Sequence, residues 1–127
     1  MEHIKYDGKT EITLELNPEN MTLEKLSQLR NIGINRLSIG VQSFQEHILK
    51  FLGRGHTGAE AERVFLEARK AGFENISIDI MFGIPGQTLD DLKRDLKKVT
   101  DLSPENISIY SLIWEEGTVF FHKLQKG

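Results

Sequence analysis

The sequence predicts an α/β fold built on a parallel sheet. Three observations support this. Four short aliphatic runs alternate with amphipathic helical patterns along the chain. The connections between the runs are long enough for the crossovers that parallel strands require. One strand-helix unit also recurs. Glu105-Asn106-Ile107-Ser108-Ile109 repeats Glu74-Asn75-Ile76-Ser77-Ile78 letter for letter, and residues 34–39 are a looser copy. With 127 residues, the chain suits a single domain, 1–127, around one core.

The first element is residues 11–17, which alternate strictly. Ile12, Leu14 and Leu16 lie on one face, and Thr13, Glu15 and Asn17 on the other. Pro18 cannot donate to a ladder and ends the strand. Met21, Leu26, Leu29 and Ile32 then approximate a helical stripe, with Thr22 as N-cap and Gly33 as stop. Residues 37–42 form the second strand, with Leu37, Ile39 and Val41 opposed to Ser38, Gly40 and Gln42. Ser43-Phe44-Gln45-Glu46 reads as a capping box for a short helix that turns Ile48, Leu49 and Leu52 inward and ends at Gly53.

After the loop Gly53-Arg54-Gly55-His56, Thr57-Gly58-Ala59-Glu60 is a second capping box. Its helix is expected to bury Ala61, Val64, Phe65 and Ala68 and to stop at Gly72. Residues 75–88 begin as the third strand, turn tightly and hand over to a helix capped by Thr88. Leu89, Leu92, Leu96 and Val99 are predicted on its inner face, and Ser103-Pro104 ends it. Residues 106–112 are the fourth strand. Residues 114–127, with a turn at Gly117-Thr118, read as the start of a connection to a further C-terminal region.

The two faces of the strands differ. One is aliphatic throughout and suits a covering layer of helices; the other is small or polar. An open doubly wound sheet calls for aliphatics on both faces. A polar face under a one-sided helical coat instead predicts a barrel lumen that holds a ligand. Four strands are too few to close such a barrel. The expected architecture is therefore a partial barrel, four parallel strands with helices on one face. Its edge strands would be exposed unless paired, and a homo-oligomer through those edges is one expected outcome.

Composition narrows the function classes. Lys and Arg number 16 against 19 acidic residues, so the net charge of −3 makes no electrostatic case for nucleic acid. No apolar run is long enough to span a bilayer and none reads as a leader, which leaves cytoplasm as the default location. The chain has no cysteine, which excludes disulfides and thiolate metal sites within it.

Glu15, Gln42, Asp79 and Tyr110 all project from the polar face near the carboxyl ends of strands, where barrel sites gather. Two carboxylates and an amide suit ribose hydroxyls or an ammonium group. Asp79 sits inside an apolar run, where a carboxylate is costly unless something pairs with it. The alternative for Glu15 and Asp79 is a structural pair with lysine or arginine, and for Gln42 and Tyr110 simple lumen packing. Arg54 alone reads as a solvated surface residue, and His56 as a loop or capping residue. His3, His47 and His122 read as isolated and exposed. Ser43 reads as an N-cap, not a nucleophile, and the stretch from Gly83 to Thr88 as a plain turn without a phosphate-loop lysine. Trp114, Phe120 and Phe121 read as packing residues.

Four segments in order then carry a resemblance: Glu11-Ile12-Thr13-Leu14-Glu15-Leu16-Asn17-Pro18-Glu19, Asn35-Arg36-Leu37-Ser38-Ile39-Gly40-Val41-Gln42-Ser43-Phe44, Leu52-Gly53-Arg54-Gly55-His56, and the run from Asp79 to Thr88. Over residues 11–118 the chain resembles the radical S-adenosylmethionine proteins around oxygen-independent coproporphyrinogen III oxidase. The resemblance implies a six-unit (β/α)6 barrel, of which these would be the third to sixth strands. It implies that Glu15, Gln42, Arg54 and Asp79 hold S-adenosylmethionine, with Arg54 on the methionine carboxylate and the other three on the amino group and ribose hydroxyls. Tyr110 and Leu112 would lie beside the adenosyl moiety. The family's three-cysteine motif for a 4Fe-4S cluster belongs before the first strand, and this cysteine-free chain would be inert alone. The implied activity is oxidative decarboxylation of porphyrinogen propionates. The alternatives are a haem chaperone on the same scaffold, to which Gln42-Ser43-Phe44 is more similar because the oxidase usually has Asp at Ser43, and a stand-alone oligomerising module.

Overall fold

The computed structural model describes residues 10–111. Expectations for residues 1–9 and 112–127, including Leu112, His3, His122 and Trp114, lie outside the described residues. The elements are β1 (Thr13–Leu16), α1 (Leu23–Asn31), β2 (Arg36–Gln42), α2 (Glu46–Leu52), α3 (Gly58–Lys70), β3 (Ile76–Phe82), α4 (Leu89–Leu102) and β4 (Asn106–Ser111). The sheet runs in chain order, β1-β2-β3-β4, and every neighbouring pair is parallel. The expected α/β architecture is thus present.

One core forms on the aliphatic face. Leu37, Ile39 and Val41 of β2 and Ile76, Ile78 and Ile80 of β3 pack under Leu26 of α1, Val99 of α4, and Ala61, Val64, Phe65 and Ala68 of α3. Leu14 and Leu16 close it from β1, where burial is only partial because β1 is an edge. β4 is exposed along its length, with Ile107 at 41% and Ile109 at 48%. Exposed edges were the expected consequence of a partial barrel. The smaller helix α2 packs Ile48 and Leu52 on Ile84, beyond the end of β3.

Local chemistry sets the helix boundaries largely as read from the sequence. Thr22 accepts from the Lys25 N–H, and Thr57 and Thr88 form full capping boxes with Glu60 and Asp91. Two readings fail. Ser43 does not cap α2; the N-cap is Gln45, with no side-chain bond to the helix. Ile32, expected on the inner stripe of α1, is exposed.

The inner face of α4 also differs from the leucine stripe. Leu89 is 67% exposed, and the buried positions are Asp91, Asp95 and Val99. Leu92 and Val99 meet the core as expected, and the other inward positions are taken by a polar clamp. Asp95 is 0% exposed and accepts from the Ser43 hydroxyl at 2.6 Å, the Phe44 N–H at 2.9 Å and the Gln45 side-chain amide at 3.0 Å. Ser43 is itself fully buried, with its hydroxyl committed to this carboxylate. One turn earlier, Asp91 accepts from the Thr88 N–H at 2.9 Å, from Arg94 at 2.5 Å, and meets His47 at 2.9 Å. His47 is therefore engaged, not isolated. The clamp pins the β2–α2 turn to α4 and so fixes the carboxyl end of β2.

Two outcomes follow from the clamp. Asp95→Ala takes the acceptor from three donors, the buried Ser43 hydroxyl and two partly buried groups, and is expected to cost about 3 kcal/mol in chemical denaturation, with Asp95→Asn milder. The Thr88 N–H, with help from His47, holds Asp91 at about 2, below its ordinary 3.8. A depressed carboxylate stabilises the fold above its unfolded value and loses that contribution as it protonates. The stability gap between the natural chain and Asp91→Asn should be full above pH 3.8 and shrink as pH falls towards 2.

Candidate functional site

The polar face of the sheet folds around a cavity of about 520 Å³ lined by Glu15, Leu16, Asn17, Ser38, Gly40, Gln42, Asp79 and Tyr110. Strand register explains the convergence. Glu15 stands beside Ser38, Gly40 beside Asp79, and Asp79 beside Ser108. Because side chains alternate, each lies on the face opposite the core.

Gly40 is the floor. A Cβ there would come within 3.0 Å of the Asn17 side-chain oxygen and 3.2 Å of the Gln42 side-chain nitrogen. Its absence leaves room for a ligand to approach the backbone. The register between β2 and β3 shifts between Gly40 and Gln42, and Gln42 takes a left-handed φ of 69°. Such a bulge re-aims a side chain. Here it brings the Gln42 side-chain oxygen 3.0 Å from the Tyr110 hydroxyl, which donates to it. That bond occupies the amide's acceptor and leaves its N–H groups, beside Gly40, to face the cavity.

Asp79 is half-buried and accepts from the Ser38 hydroxyl at 3.3 Å. Burial is the main cause that pushes its carboxyl above the usual 3.8, opposed by the Ser38 bond and reinforced by the Glu15 charge. Arg36 is the weakest influence on it; that guanidinium donates to Ser77 and lies 3.6 Å from Glu11. Among the described residues, no ion pair engages Glu15 or Asp79. A structural pair with lysine or arginine, the alternative for both, is therefore absent there. Burial is the main cause that raises the Tyr110 phenol, opposed first by its bond to Gln42.

The structure thus gathers Glu15, Gln42, Asp79 and Tyr110 on one wall, while Arg54, in the loop after α2, is not part of that wall. Leu112 lies outside the described residues. Asn17 and Ser38 join the site although neither was singled out; both share the alternating polar face, which was the available signal. His56, read as a loop or capping residue, is 3% exposed and bonded to the Val41 carbonyl.

Comparison with known proteins decides the family. The sequence profile of the Radical SAM superfamily matches residues 1–99. This chain belongs to that superfamily. It is 46% identical over 118 residues to the heme chaperone HemW of Bacillus subtilis, covering 93% of this chain and 31% of that protein. Among solved structures it resembles coproporphyrinogen III oxidase (HemN) from Escherichia coli, with TM-score 0.78 and 32% identity over 84% of this chain and 25% of that one. It also resembles the archaeal Elp3 of Methanocaldococcus infernus, with TM-score 0.82 and 26% identity over 92% of this chain and 28% of that one. The chain spans about a third of the length of the curated relatives it matches.

Superfamily membership implies S-adenosylmethionine and a 4Fe-4S cluster for the full-length relatives. The residues here fit the first and not the second. The Gly40 cradle, two carboxylates without an ion pair among the described residues and an oriented amide match a ligand rich in hydroxyl and ammonium donors. The chain has no cysteine, and no three His, Asp or Glu side chains gather as metal ligands among the described residues.

Asp79 also gives a stability test. A carboxylate raised by burial destabilises the fold when charged, an effect present above its raised value and absent below the unfolded 3.8. Asp79→Asn should therefore melt higher than the natural chain at pH 7, and the two should converge at pH 3. Thermal denaturation at both values reads the difference.

Proposed function

We propose that this chain is the S-adenosylmethionine-holding part of a radical protein of haem metabolism, of the haem-chaperone kind. The observation that carries the cofactor reading is the Gly40-floored cavity with Glu15, Asp79 and Gln42 on its walls. In this reading Glu15 and Asp79 accept from ribose hydroxyls and the methionine ammonium, and Gln42 donates from an amide that Tyr110 holds in place. Arg54 takes the methionine carboxylate, a pairing that suits a planar guanidinium. Leu112 would add an apolar contact to the adenosyl group. When bound, the molecule supplies a sulfonium-linked adenosyl group; these residues bind and orient it.

The haem-chaperone reading is supported by the names of the curated relatives, several of which are heme chaperones. The oxidase reading, decarboxylation of porphyrinogen propionates, has its support in the likeness to the E. coli enzyme and ranks second. The cofactor reading makes no demand on edge-strand association, and a homo-oligomer remains a separate proposal that sedimentation would decide.

Two measurements test the readings. In calorimetry, Asp79→Asn and Glu15→Gln should each weaken S-adenosylmethionine binding about tenfold, the worth of one hydrogen bond to a charged group. Unchanged affinity would remove that residue from the site. In a full-length relative that carries the cluster cysteines, haem titration with an anaerobic coproporphyrinogen assay separates the functions. Haem uptake without porphyrinogen turnover is the expected result, and turnover would favour the oxidase.

A further inference from the structure

The loop between α2 and α3 carries Arg54; Glu60 of α3 holds its last residue, Thr57, and a side chain distant in sequence holds its middle. Glu19, in the turn after β1, accepts from the Gly55 N–H at 3.0 Å. The same carboxylate oxygen lies 3.8 Å from Nδ1 of His56. That ring is buried, and its Nε2 donates to the Val41 carbonyl at 3.1 Å, next to the bulged Gln42. His56 Nδ1 makes no hydrogen bond among the described residues, so the Glu19 carboxylate is the charged group it faces. Gly55 has to be glycine for this contact, since a Cβ would sit 2.9 Å from the Glu19 carboxylate.

Glu19, with His56, therefore ties the Arg54 loop to two segments that line the cavity: the end of β1 with Glu15 and Asn17, and the end of β2 with Gln42. Arg54 needs such a brace. No hydrogen bond or ion pair engages its guanidinium among the described residues; only its backbone N–H is held, by the Leu49 carbonyl. The reach of a long, unanchored side chain is set by where its backbone is fixed.

We propose that Glu19 is a positioning residue for Arg54: through the Gly55 N–H and His56 it sets the loop so that the guanidinium meets the carboxylate of a ligand bound in the cavity. The inference rests on the reading of that cavity as an S-adenosylmethionine site.

Two ligands separate this role from simple loop stability. S-adenosylhomocysteine carries the amino-acid carboxylate, and 5′-methylthioadenosine keeps the nucleoside without it. In calorimetry, Glu19→Ala should weaken the first by roughly tenfold, the loss of one charge-assisted contact. It should leave the second within about twofold, the scatter of independent sites. Glu19→Gln keeps an acceptor for Gly55 and should restore most of the affinity. In an Arg54→Ala background, Glu19→Ala should add nothing further. Amide exchange reads the brace without any ligand: Glu19→Ala should speed exchange at Gly55 while the α3 amides stay protected. Equal losses for both ligands, losses that add to those of Arg54→Ala, or unchanged exchange at Gly55 would each overturn the proposal. Failure of the natural chain to bind either ligand would overturn the cavity reading itself, and the positioning role with it.

Discussion

The parallel pairing of β2 with β3 is the constraint on which the rest depends. It puts Gly40 next to Asp79 and sends six aliphatic side chains to the opposite face. The hydrophobic face gathers three of the helices, and burial there stabilises the whole domain. With those residues committed, the polar face of the same strands has no helical cover among the described residues and becomes the wall of a cavity. A one-residue slip between the strands would exchange the two faces and remove both core and site. The site thus inherits its precision from the core behind it.

Geometry at the carboxyl end of the sheet is held by polar interactions instead. Asp95 clamps the turn after β2 through three donors, and Glu19 braces the loop that follows α2. Gln42 lies between these two anchors, in a backbone conformation that few residues other than glycine adopt without support. Backbone strain of this kind persists where surrounding structure over-determines it. In this chain the Asp95 clamp on one side and the His56 bond to Val41 on the other provide that support.

In the proposed reading, family membership and site chemistry point to the same kind of ligand, and they divide labour. Two carboxylates near one another raise the cost of leaving the site empty, since burial and the Glu15 charge both push Asp79 away from its charged form. A ligand bringing ammonium or hydroxyl donors relieves that cost, so affinity is partly stored in the unliganded fold. Redox chemistry calls for thiolate ligands that this chain does not contain. Binding and orientation are what its residues can contribute.

Alternation and repetition in the sequence determined the parallel α/β sheet, the core residues of β2, β3 and α3, the threonine caps, and the polar face bearing Glu15, Gln42, Asp79 and Tyr110. These follow from local periodicity, which a strand or helix must obey wherever it sits. The place of Arg54 came from resemblance to a family, because glycines flanking an arginine say nothing of which way a loop folds. Only the tertiary structure decided that α4 turns two aspartates inward in place of Leu89 and that Ser43 bonds Asp95 instead of capping a helix. It likewise decided that Glu19 reaches Gly55 across the loop. Each depends on a partner distant in sequence, and a buried carboxylate can win over a leucine when its donors already stand in the right place.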